Sequence, residues 1–194
     1  MRVMLWIVAL LVLAAVALWT FGPREAVPAR AGFDPARFGG DLDRYFAARE
    51  ARFGDVTPGV EARVVRAGAP EERTPLSILY VHGFSATSEE LRPVPDRVAE
   101  ALGANLIFTR LTGHGRDGAA LAEATAAEWM DDMAEGLAAA RLAGERVVVM
   151  ATSTGASLAT LALADPEMAQ DVAAAVLVSP NSAVNNPLAP ILTW

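Results

Sequence analysis

The chain has 194 residues, no cysteine, two histidines and a formal net charge of −7. Its length suits one domain, or one domain with an appendage. The absence of cysteine excludes disulfide bonds, thiolate metal sites and a cysteine nucleophile. The acidic balance argues against nucleic acid as a partner, because nucleic-acid binders usually carry a basic patch, and two histidines argue against a histidine-rich metal site.

An uncharged apolar segment runs from Val3 to Phe21. At about 1.5 Å per residue it is ~28 Å long as a helix, close to the ~30 Å thickness of a bilayer core. Trp6 and Trp19 lie near its two ends, where interfacial aromatic residues are enriched. The sequence therefore predicts a transmembrane anchor over residues 1–21, followed by a tether over residues 22–40 that is rich in proline and glycine.

Two other interpretations of this segment stay open. A buried core helix is disfavoured because the segment has no polar face and starts at residue 3. A cleaved signal peptide has a small-residue site at Ala29-Arg30-Ala31, but the apolar run exceeds the usual 7–15 residues of such peptides. Arginines occur on both sides of the segment, so the sequence leaves the orientation open. We expect a single-pass N-terminal anchor in a bacterial inner membrane.

Beyond residue 40 the sequence alternates strand and helix patterns. It predicts a helix over residues 41–49, a half-exposed strand over 60–67 and a helix over 156–164. Four short apolar runs suit strands that are covered on both faces, at residues 77–81, 105–109, 146–151 and 172–178. This alternation predicts a doubly wound, mostly parallel α/β sheet.

The clearest helix pattern covers residues 125–143. Thr125 and Glu128 have the spacing of a capping box at its start, and Gly144 follows its end. Trp129, Met133 and Leu137 form a stripe that we expect to face the core. The acidic residues Asp131, Asp132 and Glu135 are expected to point elsewhere.

The motif Ala151-Thr152-Ser153-Thr154-Gly155 lies between a predicted strand and a predicted helix. It matches the small-x-Ser-x-Gly pattern of a nucleophile elbow, in which the serine occupies a sharp turn and its flanking residues must be small. Ser153 is thus the candidate nucleophile, at a helix N-terminus that favours negative charge. The Thr154 amide is a candidate donor to an oxyanion. An ordinary serine in a strand–helix turn is the alternative.

Two further motifs follow predicted strands. In His82-Gly83-Phe84 the glycine lets the loop aim the Phe84 amide at the same site, which would supply a second oxyanion donor. We interpret His82 as a residue that shapes this loop. The motif Gly113-His114-Gly115 forms a tight loop at the same edge, either as a structural turn or as a pocket lining.

Together these motifs resemble the α/β-hydrolase superfamily, in its esterase, lipase and monoacylglycerol-lipase-like or serine aminopeptidase S33-like branch. Trp129 and Asp132 add to the resemblance, which covers about residues 60–185. It implies hydrolysis of a carboxylic ester through an acyl-serine intermediate on Ser153, with the Phe84 and Thr154 amides as the oxyanion hole. No cofactor or metal is implied.

In this family an acid and then a histidine follow the nucleophile along the chain. Here both His82 and His114 precede Ser153. We therefore expect residues 41–194 to be the N-terminal part of an α/β-hydrolase domain that is truncated and nearly inactive alone, because a serine without its base is a poor nucleophile. The alternatives are a non-catalytic, membrane-anchored binding module, and a hydrolase whose base is His82 or His114. The acyl substrate, lipid-like or otherwise, is left open.

Overall fold

The structure is a computed structural model that describes residues 2–22, 27–28, 30–70 and 72–181. Parts of the predicted tether, Ala29 of the alternative cleavage site and the C-terminal residues 182–194 lie outside the described residues. The described residues fall into two units, the N-terminal helix and a larger unit that begins at Val27.

The first unit is helix α1, Arg2–Phe21. It is the one described helix that is long and apolar enough to cross a membrane, with a mean hydropathy of 2.6. Its length of 20 residues corresponds to about 30 Å. A signal sequence near an N-terminus has the same properties, so length and composition alone leave the choice between anchor and signal open.

The larger unit contains five strands and five α-helices among the described residues. The strands are β1 (Arg63–Val65), β2 (Thr74–Val81), β3 (Asn105–Phe108), β4 (Gly144–Thr152) and β5 (Val172–Val178), and the helices are α2 (Leu42–Glu50), α3 (Val94–Leu102), α4 (Gly118–Glu123), α5 (Ala126–Ala143) and α6 (Ser153–Ala164). Short 3-10 helices occur at Pro35–Phe38 and Ser88–Glu90.

The strands form one sheet in the order β1-β3-β2-β4-β5. Strands β2, β3, β4 and β5 are parallel, and β1 pairs antiparallel with β3 at the edge. In register, Val81 lies opposite Ala151, so the ends of β2 and β4 are level. The predicted mostly parallel α/β sheet is confirmed.

Alternate residues of the central strands fill two cores. On one face, Leu79, Ile107 and Val149 pack with residues of α2, α5 and α6. On the other face, Tyr80 and Phe108 pack with residues of α3. Because β2 and β3 are covered on both faces, they read as continuous apolar runs, as expected for parallel strands.

Strand β5 differs from the expectation that it is covered on both faces. Val176 is 47% exposed and Leu177 is 37% exposed. Within the described part of the chain, β5 pairs only with β4 and lies at the edge of the sheet. The apolar composition of β5 is the same as that of the central strands. The sequence therefore does not distinguish this edge strand from a buried strand.

Helix α5 confirms the predicted capping box, since the Thr125 side chain and the Glu128 side chain both make their reciprocal hydrogen bonds. The expectation that the acidic residues of α5 point away from the core is wrong for two of them. Asp132 and Glu135 are both 6% exposed, and Arg49 of α2 pairs with both of them inside the protein. The pattern of charges along one helix does not reveal such partners.

Part of the predicted tether is packed inside the second unit. Phe38 is buried and contacts Phe33 and Tyr45, with ring centroids 4.7 Å and 4.8 Å away. The Asp34 side chain caps the 3-10 helix that places Phe38. Phe38 therefore belongs to the core and Phe33 packs against it, although the proline and glycine content of residues 22–40 predicts little regular structure.

Candidate functional site

The three sequence motifs lie at the carboxyl ends of three neighbouring parallel strands. The loop with His82 follows β2, the loop with His114 follows β3, and Ser153 follows β4. Strand β3 lies on one side of β2, and β4, which comes later in the chain, lies on the other side of β2. Such a change of direction opens a crevice at the carboxyl ends of the strands, the usual place for a ligand in α/β sheets.

Ser153 occupies a strained turn between β4 and α6. Its φ angle is +49°, in the left-handed region that residues with side chains rarely adopt. A Cβ atom on Gly155 would lie 2.5 Å from the carbonyl oxygen of Val81 and would also meet the carbonyl oxygen of His82. Only glycine allows this approach of α6 to β2, which is the constraint that the elbow motif predicted.

The helix that begins at Ser153 presents one of its N-terminal amides beside the serine. Ser153 is the first residue of α6, so the Thr154 amide is one of the first four amides of the helix, which have no acceptor within it. The Gly83 loop faces the serine, because a Cβ on Gly83 would lie 3.2 Å from the Cβ of Ser153. Phe84 follows directly. The roles of Ser153, Phe84 and Thr154 stay predictions.

His82 is fully buried, and backbone groups occupy both of its ring nitrogens. Its Nε2 accepts from the Leu111 amide at 3.2 Å, so Nδ1 carries the proton and donates to the Gly83 carbonyl at 2.9 Å. Burial lowers the pKa of His82 to about 4. The neutral ring joins the β2 and β3 loops, which agrees with a role in shaping the loop.

His114 lies in a cluster of rings with His82, Phe84 and Trp129. The centroid of its ring is 4.8 Å from that of His82 and 5.4 Å from that of Trp129. Its Nδ1 contacts the Thr112 carbonyl at 3.2 Å, and Nε2 has no hydrogen-bond partner among the described residues. Burial lowers the pKa of His114, which keeps its ring neutral.

The Gly113-His114-Gly115 loop is packed tightly on both sides. A Cβ on Gly113 would lie 2.6 Å from the Ala120 carbonyl oxygen, and a Cβ on Gly115 would lie 2.8 Å from a methyl group of Val60. Both glycines have positive φ angles, +80° and +69°. These contacts fit the structural-turn interpretation, while the His114 ring faces Phe84 with centroids 6.0 Å apart.

A buried network of charges holds this loop, and sequence reasoning missed it. Arg110 is 2% exposed, binds Glu50 at 2.7 Å and donates to the His114 carbonyl at 2.9 Å. Asp132 binds Arg49 at 2.6 Å and accepts from the Thr112 amide at 2.5 Å. Burial raises the pKa of Asp132 to about 6. The partners lie far apart in sequence, so no local pattern marks them.

Glu90 is a second residue near the site that sequence reasoning missed. Its Oε2 accepts from the Gly83 amide at 2.9 Å and from the Tyr80 hydroxyl at 3.1 Å. The Tyr80 hydroxyl also lies 3.3 Å from Oγ1 of Thr152, the residue before Ser153. Glu90 thus connects the Gly83 loop to both neighbouring strands. Within the described ranges, no group of three or more histidine or acidic side chains could hold a metal ion.

Comparison with known proteins finds similar sequences and a similar fold. A model of the alpha/beta hydrolase family matches residues 78–194. Over 94 residues the chain is 32% identical to a thermostable monoacylglycerol lipase from Bacillus sp. (strain H-257), covering 48% of this chain and 37% of that protein.

A solved structure from work on the metagenome-derived lipolytic enzymes LipS and LipT aligns with a TM-score of 0.60 at 22% identity, over 72% of this chain and 53% of that one. At this identity the likeness shows the fold alone. The chain spans about half of the length of this solved relative and just over a third of the lipase. The family match covers more than half of the chain, and the chain therefore belongs to the α/β-hydrolase family.

Proposed function

We propose that the chain carries the nucleophile and the oxyanion hole of a serine hydrolase that acts on carboxylic esters. Ser153 attacks the ester carbonyl, and the amides of Phe84 and Thr154 stabilise the resulting oxyanion. The observation that carries this proposal is the φ angle of +49° at Ser153, at the start of a helix that only Gly155 allows to approach β2. Backbone strain of this kind is costly and is concentrated at functional sites.

The proposal includes a low activity for this chain alone. Both ring nitrogens of His82 are hydrogen-bonded to the backbone, and the sequence has no histidine after Ser153. Without a base, serine is a weak nucleophile, and loss of triad members removes several orders of magnitude of rate. The preorganised amides leave a residual reactivity that a phosphonylating probe can detect.

Labelling with a fluorophosphonate tests this proposal. The full chain in detergent is incubated with the probe, and the adduct is located by peptide mass spectrometry. We expect slow labelling of Ser153, no adduct in Ser153→Ala, and labelling of Ser157→Ala like that of the unaltered chain. Ser157 is the matched control because it lies one turn further along α6. An absence of labelling, or labelling that survives Ser153→Ala, contradicts the proposal.

The same histidine geometry favours a second candidate function, a binding module on a hydrolase scaffold. It predicts no adduct on Ser153 under any condition, together with saturable binding of an ester at the Phe84 and Thr154 amides. Labelling and binding measured on one preparation separate the two functions.

We further propose that α1 anchors the domain in a membrane, and that the domains are the anchor (1–21), a tether (22–40) whose last part packs against the hydrolase core through Phe38, and the hydrolase part (41–194). Support comes from the length of α1 and its mean hydropathy of 2.6. We expect the chain to stay in the membrane fraction after alkaline carbonate extraction. Release of a shortened chain that begins after Ala31 would identify a cleaved signal sequence instead.

A further inference from the structure

We propose that Glu90 is a specificity-determining residue that selects esters with a cationic group close to the scissile carbonyl. The proposal deepens the proposed function, because it rests on Ser153 marking the place of that carbonyl. Glu90 is exposed, so a ligand can reach its side chain.

The position of Glu90 is the first argument. An ideal Cβ on Gly83 would lie 2.8 Å from Oε1 of Glu90 and 3.2 Å from the Cβ of Ser153. The carboxylate and the serine therefore both lie against Gly83, so close that a Cβ atom there would clash with Oε1. A ligand whose carbonyl reaches Ser153 has its neighbouring atoms beside Oε1.

The hydrogen bonds of Glu90 are the second argument. Its Oε2 holds the Gly83 amide and the Tyr80 hydroxyl, which fixes the side chain over the loop. The Oε1 atom is on the side of the serine. A carboxylate that is held by one oxygen needs no reorganisation to bind a ligand with the other, and this preorganisation favours affinity.

The charge around Glu90 is the third argument. The nearest arginine in sequence, Arg92, binds Glu89 at 2.9 Å and Asp96 at 2.9 Å. Arg63 also contacts Glu89, at 3.6 Å. The arginines of this surface thus neutralise Glu89 and Asp96, and the negative charge of Glu90 is left to act on a ligand.

The exposed ring of Phe84 adds a group that favours cations. It is 57% exposed, on the loop that Glu90 holds. Aromatic faces attract ammonium groups, and a carboxylate beside them strengthens the attraction. The same carboxylate repels an anionic ligand, and it opposes an oxyanion unless the ligand brings a positive charge.

Binding of three small esters to the full chain in detergent tests the proposal. The probes are acetylcholine, its neutral isostere 3,3-dimethylbutyl acetate, and the anionic monoethyl succinate. Dissociation constants come from the NMR shifts of the Phe84 and Thr154 amides. We expect acetylcholine to bind about three- to tenfold more tightly than the neutral isostere at low ionic strength, and monoethyl succinate to bind most weakly. In about 1 M salt the preference should disappear.

Three variants assign the preference to Glu90. Glu90→Gln keeps an acceptor for the Gly83 amide and removes the charge, so the preference should be lost. Glu90→Asp restores the charge and should recover part of it. Glu89→Gln removes the same charge one residue away and should keep the full preference.

A wild-type chain without a charge preference, including one that binds none of the esters, overturns the inference, as does a preference that persists in Glu90→Gln. The salt dependence of the unaltered chain remains decisive if Glu90→Gln fails to fold. The Ser153→Ala variant should keep the preference, because binding does not need the hydroxyl. Failure of the proposed function is seen separately, as an absence of phosphonylation at Ser153.

Discussion

The elbow at Ser153 and the loop at His114 lie at the ends of two strands of one sheet, yet they are held by different forces. The elbow depends on the absence of side-chain atoms, because Gly155 allows α6 to meet the carbonyls at the end of β2. The His114 loop depends on buried charges, with Arg110 donating to its backbone and Asp132 holding the Thr112 amide. Steric constraints of the first kind leave a short sequence motif, whereas charge networks of the second kind do not.

This contrast explains how much the sequence predicted. The strand pattern, the capping box and the small residues around Ser153 are local, so the parallel sheet and the elbow could be predicted. The burial of Asp132 and Glu135 could not, since their arginine partner, Arg49, lies on another helix. Glu90 was missed because its partner, the Gly83 amide, is a backbone group. The exposure of β5 depends on its place in the sheet, which composition does not encode.

The largest expected effect is the loss of one partner from the buried network. Arg110→Met removes the 2.7 Å partner of buried Glu50, which keeps its pair with Arg49 at 2.8 Å, and it also removes the donor to the His114 carbonyl. We expect a loss of about 3–4 kcal/mol in the free energy of unfolding, towards the low end for breaking a buried pair. Urea unfolding of the full chain in detergent measures it. The double variant Arg110→Met, Glu50→Leu should be less destabilised than Arg110→Met alone, because it also removes the buried carboxylate that has lost this partner. A double variant that is less stable than Arg110→Met would contradict the account of the loop.

The pH dependence of stability tests the interpretation of His82. The pKa of His82 is lowered from 6.5 to about 4 in the folded protein, so the unfolded chain binds more protons between these values. The contribution of neutral His82 to stability is therefore complete above about pH 6.5 and is lost as the pH falls towards 4. Each pKa unit corresponds to about 1.4 kcal/mol, which gives a loss of roughly 3 kcal/mol from this group.

Comparison with a variant isolates this contribution. Asp132, whose pKa is raised to about 6, acts in the opposite direction, since its contribution is complete below about pH 4 and is lost as the pH rises through 6. We therefore compare unfolding of His82→Gln with that of the unaltered chain at pH 7 and at pH 4.5. The difference in stability should shrink at the lower pH. An equal difference at both values would show that His82 does not titrate as a buried neutral ring.

A smaller effect is expected at the elbow. In Gly155→Ala the added methyl group meets the Val81 carbonyl oxygen at 2.5 Å, and overpacking of this kind costs about 1–3 kcal/mol. Gly118→Ala is the control, because it adds the same methyl group at a place where a Cβ meets nothing within 4 Å. We expect Gly155→Ala to abolish labelling of Ser153 as well, since the turn must open. Unchanged labelling in Gly155→Ala would contradict the steric account of the elbow.

The smallest effect is expected at the start of α5, the helix that carries Asp132 to the His114 loop. The Thr125 side chain accepts from the Glu128 amide in the capping box. Thr125→Ala should lower the free energy of unfolding by about 1 kcal/mol, and Thr125→Ser should restore most of it. Thermal unfolding of both variants measures the difference. A loss as large as that of Arg110→Met would mean that the loop depends on the helix start more than on its ion pairs.

The pH dependence of Ser153 labelling tests the central claim most directly, that the elbow is formed while both histidines serve the structure. Its rate is measured from pH 5 to 9 with the full chain and with His114→Asn, since the Nε2 of His114 has no hydrogen-bond partner in the described part of the chain. The account predicts a rate that rises steadily with pH, with the same profile in both proteins. A rate that reaches a plateau above about pH 7 and falls in His114→Asn would show that His114 acts as the base and would contradict the account.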